Sequence, residues 1–402
     1  MTGTNGGGYE AVATPTLIEE LVVTMSMRRS LPRRGAVTPR AAARATRART
    51  SALAKLGATL AAAALCLTAV PSAAEPPAPA PAAGPSSGGL ANPTSGLRDV
   101  VPRLQQLRVD DDGTPWLPTD GSRVLVVGDD AVALRDARAF ASTVARASGA
   151  TVTAQRGAAA DAQAGDVVVE LGDVEGLPGA GTDEGYGITV AAGVARVAAP
   201  TATGLFHAEQ TLIQSVRTAG GAQAATVVDW PAHPDRSLHV DAARKYFSPA
   251  WFKAQIDRLA EYKVNQVQWH VSENEGFRLE SKRHPEIMSE QYITQEQAKG
   301  IVAHAKARHI QIVPSLDVPG HMGQVIAKKP EFAAADTDEG RKMLDYSKPE
   351  VRAFVKDLVS EFAPIFDTDT WHIGGDEVFD MNTLGTLGTR YPQLLAYAKD
   401  VT

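Results

Sequence analysis

The chain has 402 residues, 44% of them hydrophobic and 21% charged, which is typical of a soluble globular protein with two domains or one large barrel plus a module. Its net charge of −6 argues against nucleic acid as a main partner, because phosphate binding needs a basic surface. The single cysteine, Cys66, lies in an apolar run, so we expect no disulfide and no thiol nucleophile in the folded part.

Residues 1–74 have the order of an export signal. Basic residues precede the apolar run LGATLAAAALCLTAV (56–70), and small residues follow at 72–74. The run is shorter than the roughly 20 residues that span a bilayer, which favours a cleaved signal peptide, with an uncleaved anchor as the alternative. We therefore predict a secreted or cell-surface protein that meets the membrane only through its export signal.

Two segments with different compositions follow. Residues 75–96 are rich in Pro, Ala, Gly and Ser, which predicts a disordered linker or the remnant of a propeptide. Residues 97–232 predict a small α+β domain, in which two helices cover one face of a sheet. Its predicted strands are 123–130, 166–171, 185–190 and 195–199, and its predicted helices are 131–149 and 204–216.

From residue 233 to the end, strand and helix patterns alternate. Helix starts are indicated by Ser248-Pro249 and by two capping boxes, Thr294 with Gln297 and Ser347 with Glu350. A fourth helix is predicted over 388–399. Such βα repeats predict a parallel sheet, either doubly wound or part of a TIM-type (β/α)8 barrel. The predicted strands are 237–242, 264–270, 309–317 and 370–377.

Polar residues cluster where these four strands end, at Asp241, His270, Asp317 and Asp376. The carboxyl ends of barrel strands are where barrel enzymes place their chemistry. The fourth strand ends in HIGGDE (372–377), whose adjacent carboxylates repel each other, so one of them is expected to have a raised pKa. Carboxylates with separated pKa values are the usual apparatus of glycoside cleavage, although an ordinary helix-capping acid pair has the same pattern.

Four ordered motifs resemble glycoside hydrolase family 20, the β-N-acetylhexosaminidases. They are VDAARKYF (240–247), KVN with WH (263–270), DVPGH (317–321) and HIGGDE (372–377). The preceding domain is similar to the small α/β domain that precedes this family's barrel. The resemblance implies a TIM-type (β/α)8 barrel preceded by a small α+β domain, with only about the first four βα units in residues 233–402. We therefore expect the chain to be a shortened form.

The resemblance also implies a reaction: removal of terminal β-linked N-acetylglucosamine or N-acetylgalactosamine from glycans or chitooligosaccharides. The family retains configuration without an enzyme nucleophile, because the substrate's 2-acetamido oxygen forms an oxazolinium intermediate. Glu377 matches the general acid and base, and Asp376 matches the residue that orients the acetamido group. Arg244 matches the arginine that grips sugar hydroxyls, and His321 matches the histidine that links the general acid to a carboxylate, here Glu273.

We expect Asp241, His270 and Asp317 to assist substrate binding, and we expect no cofactor and no metal ion. The sequence departs from the family at Glu273 and Asn274, where Asp is usual, and at Ser315, where Glu commonly follows Pro. The last departure points to a subgroup, such as a lacto-N-biosidase-like enzyme.

Two alternatives belong to other classes. One is a metal-dependent barrel hydrolase using Asp241, His270, His321 and Asp376, which lacks tight ligand spacing. The other is a catalytically inactive carbohydrate-binding protein. Activity that is insensitive to a chelator would rule out the metal-dependent hydrolase. Binding of chitobiose without turnover would favour the inactive carbohydrate-binding protein.

Overall fold

The computed structural model of the protein describes residues 96–179, 183–338 and 340–378. The predicted export segment and nearly all of the linker, and the helix predicted over 388–399, lie outside these residues. Within the described ranges, no helix combines the length and the hydrophobicity that crossing a membrane requires.

The first part of the described chain forms one seven-stranded sheet with the strand order β1-β7-β5-β6-β4-β2-β3. Strands β2, β3, β4 and β6 run parallel, whereas β5, β7 and β1 add antiparallel neighbours. The elements are β1 (Gln106–Val109), β2 (Ser122–Val127), α1 (Ala131–Ser148), β3 (Val152–Arg156), β4 (Val167–Leu171), β5 (Tyr186–Ala191), β6 (Val194–Ala199), α2 (Ala202–Ala219) and β7 (Ala225–Asp229).

Helices α1 and α2 pack against each other and against the sheet. Helix α1 begins where Asp130 accepts a hydrogen bond from the Ala133 N–H, and it ends at Gly149, whose φ of 77° is left-handed. Alternating burial along β5 agrees with a sheet that is covered on one face. The strands β1, β3 and β7 were missed by the sequence analysis, and two of them, β1 and β3, are the outer strands of the sheet.

The second part of the chain has three parallel strands in the order β10-β9-β8. Their side chains, with those of the flanking helices, form one apolar core that includes Trp269, Phe252 and Phe362. The elements are β8 (Ser237–Asp241), α3 (Pro249–Glu261), β9 (Gln266–His270), α4 (Gln295–Lys306), β10 (Gln311–Ser315), α5 (Gly323–Lys328) and α6 (Pro349–Phe366). Each strand is followed by a helix, as expected of βα repeats.

Two of the three predicted helix starts are confirmed. Ser248 caps α3 through the Trp251 N–H, and Thr294 forms a complete capping box with Gln297. The capping box predicted for Ser347 and Glu350 is wrong. Helix α6 begins at Pro349 after Lys348, and the Ser347 hydroxyl instead donates to the Asp345 carboxylate at 2.5 Å.

The predicted fourth strand is wrong as a regular strand, because residues 370–377 contain only a parallel bridge between His372 and Ser315. Backbone hydrogen bonds still align this segment with β10: the His372 N–H donates to the Pro314 carbonyl, and the His372 carbonyl accepts from Leu316. Left-handed Gly374 (φ 75°) and Gly375 (φ 99°) turn the chain away from an extended path. The segment therefore occupies the fourth strand's place without its length.

Candidate active site

The ends of the three strands and the segment around His372 lie side by side. Asp241 pairs with His270 across β8 and β9, His270 pairs with Ser315 across β9 and β10, and Ser315 bridges to His372. This register places the polar ends of the three strands and the following segment at one edge of the parallel sheet. Asp317 lies two residues beyond the end of β10 rather than at its last position.

Glu273 is the centre of the polar cluster, with only 2% of its surface exposed. Its Oε1 lies 2.7 Å from Arg244 Nη2 and 3.3 Å from His270 Nε2. Its Oε2 lies 2.9 Å from His321 Nδ1 and accepts the Asn274 N–H at 3.0 Å. A buried carboxylate needs such donors, because an unpaired charge away from water is unstable. The Glu273 side chain thus reaches both His270 and His321.

Arg244 spans two carboxylates at the rim of the cluster. Its Nη1 donates to Asp241 Oδ2 at 2.7 Å, and Asp241 Oδ1 accepts the backbone N–H groups of Ala243 and Arg244. The hydrogen bond with Asp241 raises the pKa of Arg244. Burial opposes ionisation of Asp241, but the hydrogen bonds from Arg244 and Ala243 outweigh it and lower the pKa of Asp241. About half of the arginine side chain remains exposed for a ligand.

His321 lies between buried Glu273 and exposed Glu377. It has a left-handed backbone (φ 51°), and its Nε2 lies 3.6 Å from Glu377 Oε2 and 3.9 Å from Asp317 Oδ2. Burial disfavours the charged ring, but the hydrogen bond to Glu273 and the neighbouring carboxylates outweigh burial and raise the pKa of His321. The charged ring faces Glu273, Asp317 and Glu377.

Asp317 is 2% exposed and supports the turn that carries the acid pair. Its Oδ1 accepts the Gly375 N–H at 3.2 Å, and its own N–H donates to the Ser272 hydroxyl at 3.1 Å. Burial raises the pKa of Asp317, and the charge of Asp376 acts in the same direction. These contacts hold Asp317 against the turn, and its part in substrate binding stays a prediction.

The Asp376–Glu377 pair lies at the surface of the cluster. The Glu377 side chain is 83% exposed, in contrast to Glu273, and its backbone is left-handed with φ 49°. The Asp376 carbonyl oxygen approaches Gly320 so closely that a Cβ there would lie 2.6 Å from it. The acid pair therefore projects from a tightly packed turn, where a ligand can reach it.

Ser315 and His372 lie next to the cluster but were not among the predicted site residues. Ser315 is fully buried, and its hydroxyl lies 3.0 Å from His270 Nδ1 and 3.1 Å from His372 Nδ1. Burial lowers the pKa of both histidines. The sequence does place Ser315 between polar residues at the ends of neighbouring strands. The alternation along one strand, however, does not show which side chains of different strands meet.

A resident metal ion would need several ligand side chains that meet at one point. In the ranges given above, no group of three or more His, Cys, Asp or Glu side chains has a geometry that could hold a metal ion. His270 and His321 instead face the same carboxylate, Glu273. The contacts that the structure shows are those of an acid–base cluster.

Together, the βα repeats and the acidic strand ends define the class of barrel hydrolases. Comparison with known proteins then matches residues 233–385 to "Glycosyl hydrolase family 20, catalytic domain" and residues 98–230 to "Glycosyl hydrolase family 20, domain 2". The chain belongs to glycoside hydrolase family 20. Its predicted fold class, a TIM-type barrel preceded by a small α+β domain, is confirmed by these matches and by the solved structures described next.

Relatives of known name agree with this family. A β-N-acetylhexosaminidase of Cellulomonas fimi is 30% identical over 258 residues, which are 58% of this chain and 50% of the relative. A β-hexosaminidase of Vibrio furnissii is 30% identical over 233 residues, or 49% and 38% of the two chains. The chain therefore spans half or less of the length of these curated relatives.

Two solved structures have similar folds. A mutant Streptomyces plicatus β-hexosaminidase in complex with its product GlcNAc is 25% identical with a TM-score of 0.63, over 75% of this chain and 64% of that one. The family 20 β-N-acetylhexosaminidase of Streptomyces coelicolor is 26% identical with a TM-score of 0.62, over 75% and 65%.

Proposed function

We propose that the protein is an exo-acting β-N-acetylhexosaminidase that removes terminal N-acetylglucosamine or N-acetylgalactosamine from glycans or chitooligosaccharides. The observation that carries this proposal is the exposed Glu377 carboxylate 3.6 Å from His321, whose other nitrogen is held by buried Glu273. A carboxyl group that is open to a ligand and backed by a titratable ring suits general acid and base catalysis. Family membership supplies the substrate class.

In the proposed first step, the Glu377 carboxyl gives its proton to the glycosidic oxygen while the C1–O bond breaks and its electron pair goes to that oxygen. The substrate's acetamido oxygen forms the new bond to C1, which gives an oxazolinium ion. Glu377 is then a carboxylate, which protonated His321 stabilises by its charge. Asp376 holds the acetamido N–H and offsets the positive charge of the ring.

In the second step, water attacks C1 and gives a proton to Glu377, and the C1–O bond of the oxazolinium ring breaks to restore the acetamido group. Two displacements at C1 retain the configuration. Arg244, with two of its nitrogens on Asp241 and Glu273 and about half of its surface exposed, is placed to donate to sugar hydroxyls.

The test is hydrolysis of 4-nitrophenyl N-acetyl-β-D-glucosaminide, compared with its N-trifluoroacetyl analogue and with the β-glucoside that lacks an acetamido group. Fluorine makes the acetamido oxygen a poorer nucleophile, so the analogue must react more slowly and the glucoside must not react. The first-formed sugar must be the β-anomer by proton NMR. Equal rates for the acetyl and trifluoroacetyl substrates would refute the substrate-assisted mechanism.

We also propose that the protein acts outside the cytoplasm, on the strength of the basic, apolar and small-residue order in residues 1–74. Fractionation of expressing cells tests this. Recovery of a processed chain in the medium or on the surface is the expected result, and an unprocessed chain confined to the cytoplasm would contradict it.

A further inference from the structure

A row of hydrogen-bonding groups, buried except at His372, lies behind the acid pair, and its members His372, Ser315 and His270 have no role in the reaction above. It runs from His372 through Ser315 to His270 and on to Glu273, with contacts of 3.1, 3.0 and 3.3 Å. Glu273 then meets His321 at 2.9 Å, and His321 meets Glu377 at 3.6 Å. These contacts therefore connect His372, which lies shortly before Asp376 in the chain, to His321 and Glu377.

The protons in this row can be counted from its contacts. His270 Nε2 faces a carboxylate oxygen, which only accepts, so Nε2 carries a proton and the Nδ1 of the neutral ring does not. His372 Nδ1 accepts the Gly374 N–H at 3.2 Å, so it is unprotonated as well. The single lone pair of His372 Nδ1 is therefore taken by that N–H, and the Ser315 hydroxyl donates its proton to His270 Nδ1.

A proton added to His270 reverses its bond to the serine. If His270 also holds a proton on Nδ1, that nitrogen donates to the Ser315 oxygen, and the Ser315 hydroxyl turns towards His372 Nδ1, whose one lone pair it shares with the Gly374 N–H. The groups facing His270 are Asp317, Asp241, Glu273 and His239, and those facing His372 are Asp376 and His239. Ser315 therefore hydrogen-bonds His270 whether that ring is neutral or charged.

We propose that Ser315 is a positioning residue that holds His270 against Glu273 and thereby fixes Glu273 on His321. This role deepens the proposed function, because it assigns the orientation of the acid–base support to a side chain that touches neither substrate nor Glu377. Glu273 keeps a close contact with His321 only while its Oε1 is held on the opposite side by His270 and Arg244. Loss of one holder lets the carboxylate turn and weakens its bond to His321.

The experiment is an NMR titration of the histidine rings in the full chain, labelled with 15N-histidine. In the wild-type protein, at a pH where the rings are neutral, both His270 and His372 must show a proton on Nε2 and none on Nδ1. The groups that face His321 are Glu273, Asp317 and Glu377. The Ser315→Ala variant must lower the pKa of His321 by about 0.5 or more, a roughly threefold loss of proton affinity. The conservative Ser315→Thr variant must restore it.

The matched control is Ser281→Ala, which removes another fully buried hydroxyl, bonded to Glu361 away from the cluster. It must leave the His321 titration unchanged. A neutral His270 with its proton on Nδ1, or a His321 titration that Ser315→Ala leaves unchanged, overturns the proposal. An equal shift in the Ser281→Ala variant also overturns it, because the effect is then general loosening. The titration needs no substrate, so failure of hydrolysis would refute the proposed function and still leave the positioning role measurable.

Discussion

His321 and Glu273 are joined by a 2.9 Å contact between the ring Nδ1 and a carboxylate oxygen that is shielded from water. The opposite ring nitrogen of His321 faces the exposed Glu377 carboxylate. The imidazole ring of His321 thus lies between the buried carboxylate of Glu273 and the exposed carboxylate of Glu377. The hydrogen bond to Glu273 favours the protonated form of His321.

The first prediction concerns pH. In Glu273→Gln the pKa of His321 must fall, because the amide removes a negative charge and a strong acceptor. A histidine whose folded pKa is raised stabilises the fold fully below its unfolded pKa, about 6.5, and this contribution disappears as the pH rises through the folded pKa. The destabilisation of the variant must therefore be larger near about pH 5.5 than near about pH 8.5.

Urea unfolding of both proteins across this range measures the effect. Loss of the Arg244 contact destabilises the variant by the same amount at every pH in the window, because arginine stays charged. A destabilisation that does not vary with pH, or that grows as the pH rises, would contradict the assignment of His321 and His270 as the titrating partners of Glu273.

The second prediction concerns the acid pair. Glu377→Gln removes the proposed proton donor and must lower the rate of nitrophenol release by about 10²–10⁴-fold. Asp376→Asn must lower it by about 10²-fold, because the amide cannot offset the positive charge of the intermediate. The reference for both is Glu296→Gln, which removes one carboxylate from the exposed first turn of α4 and must leave the rate unchanged. Similar rates in all three variants would refute the assignment.

Sequence patterns predicted the elements whose side chains alternate between core and solvent. The pattern of α1 gives its bounds to within a residue, since buried positions recur along one face. The edge strand β1 alternates between exposed and half-buried positions, but over only four residues, which is too short a pattern to predict a strand. Helix α5 is only six residues long within a loop, too short for helical periodicity to show.

The sequence predicts that Asp241 and His270 lie side by side, because each is the last residue of a strand and parallel strands end at one edge of a sheet. The linkage through Ser315 was not predictable, since it depends on the register that brings β10 between β9 and the His372 segment. The hydrogen bond from the Gly375 N–H to Asp317 was not predictable either. It depends on a tight turn that breaks the alternation expected of a strand.

The third prediction concerns a buried cation. Lys263 Nζ donates to Tyr186 at 2.7 Å and lies 3.1 Å from Asp229, so the loop that follows α3 is tied to β5 and β7. Burial lowers the pKa of Lys263. Lys263→Met must destabilise the protein by about 3–5 kcal/mol, because Asp229 loses its cation in a place that water does not reach.

The double variant Lys263→Met/Asp229→Asn must be destabilised by less than the sum of the two single variants, measured by urea unfolding. The matched control is Lys306→Met, which breaks an ion pair with Asp367 in which both side chains are 74% exposed. That variant is expected to change stability little, because exposed pairs contribute little. Equal effects for the two lysines, or strictly additive effects in the cycle, would contradict a role for the buried pair.

The last prediction separates two adjacent glycines. Both Gly374 and Gly375 have positive φ, so an alanine at either position strains the backbone by about 1–3 kcal/mol. A Cβ at Gly374 would also overlap Asp317 Oδ1 and lie 2.6 Å from the Asp317 Cα and the Val318 N, whereas a Cβ at Gly375 meets nothing within 4 Å.

Gly374→Ala must therefore displace the Asp317 carboxylate as well, and with it the turn that carries Asp376 and Glu377. We expect it to lower both the unfolding free energy and the rate of hydrolysis well beyond the effect of Gly375→Ala, which shares the strain without the overlap. Urea unfolding and nitrophenol release measured on both variants decide the point. Equal losses would mean that backbone strain alone explains these glycines, and that the close approach of Asp317 to Gly374 does not position the acid pair.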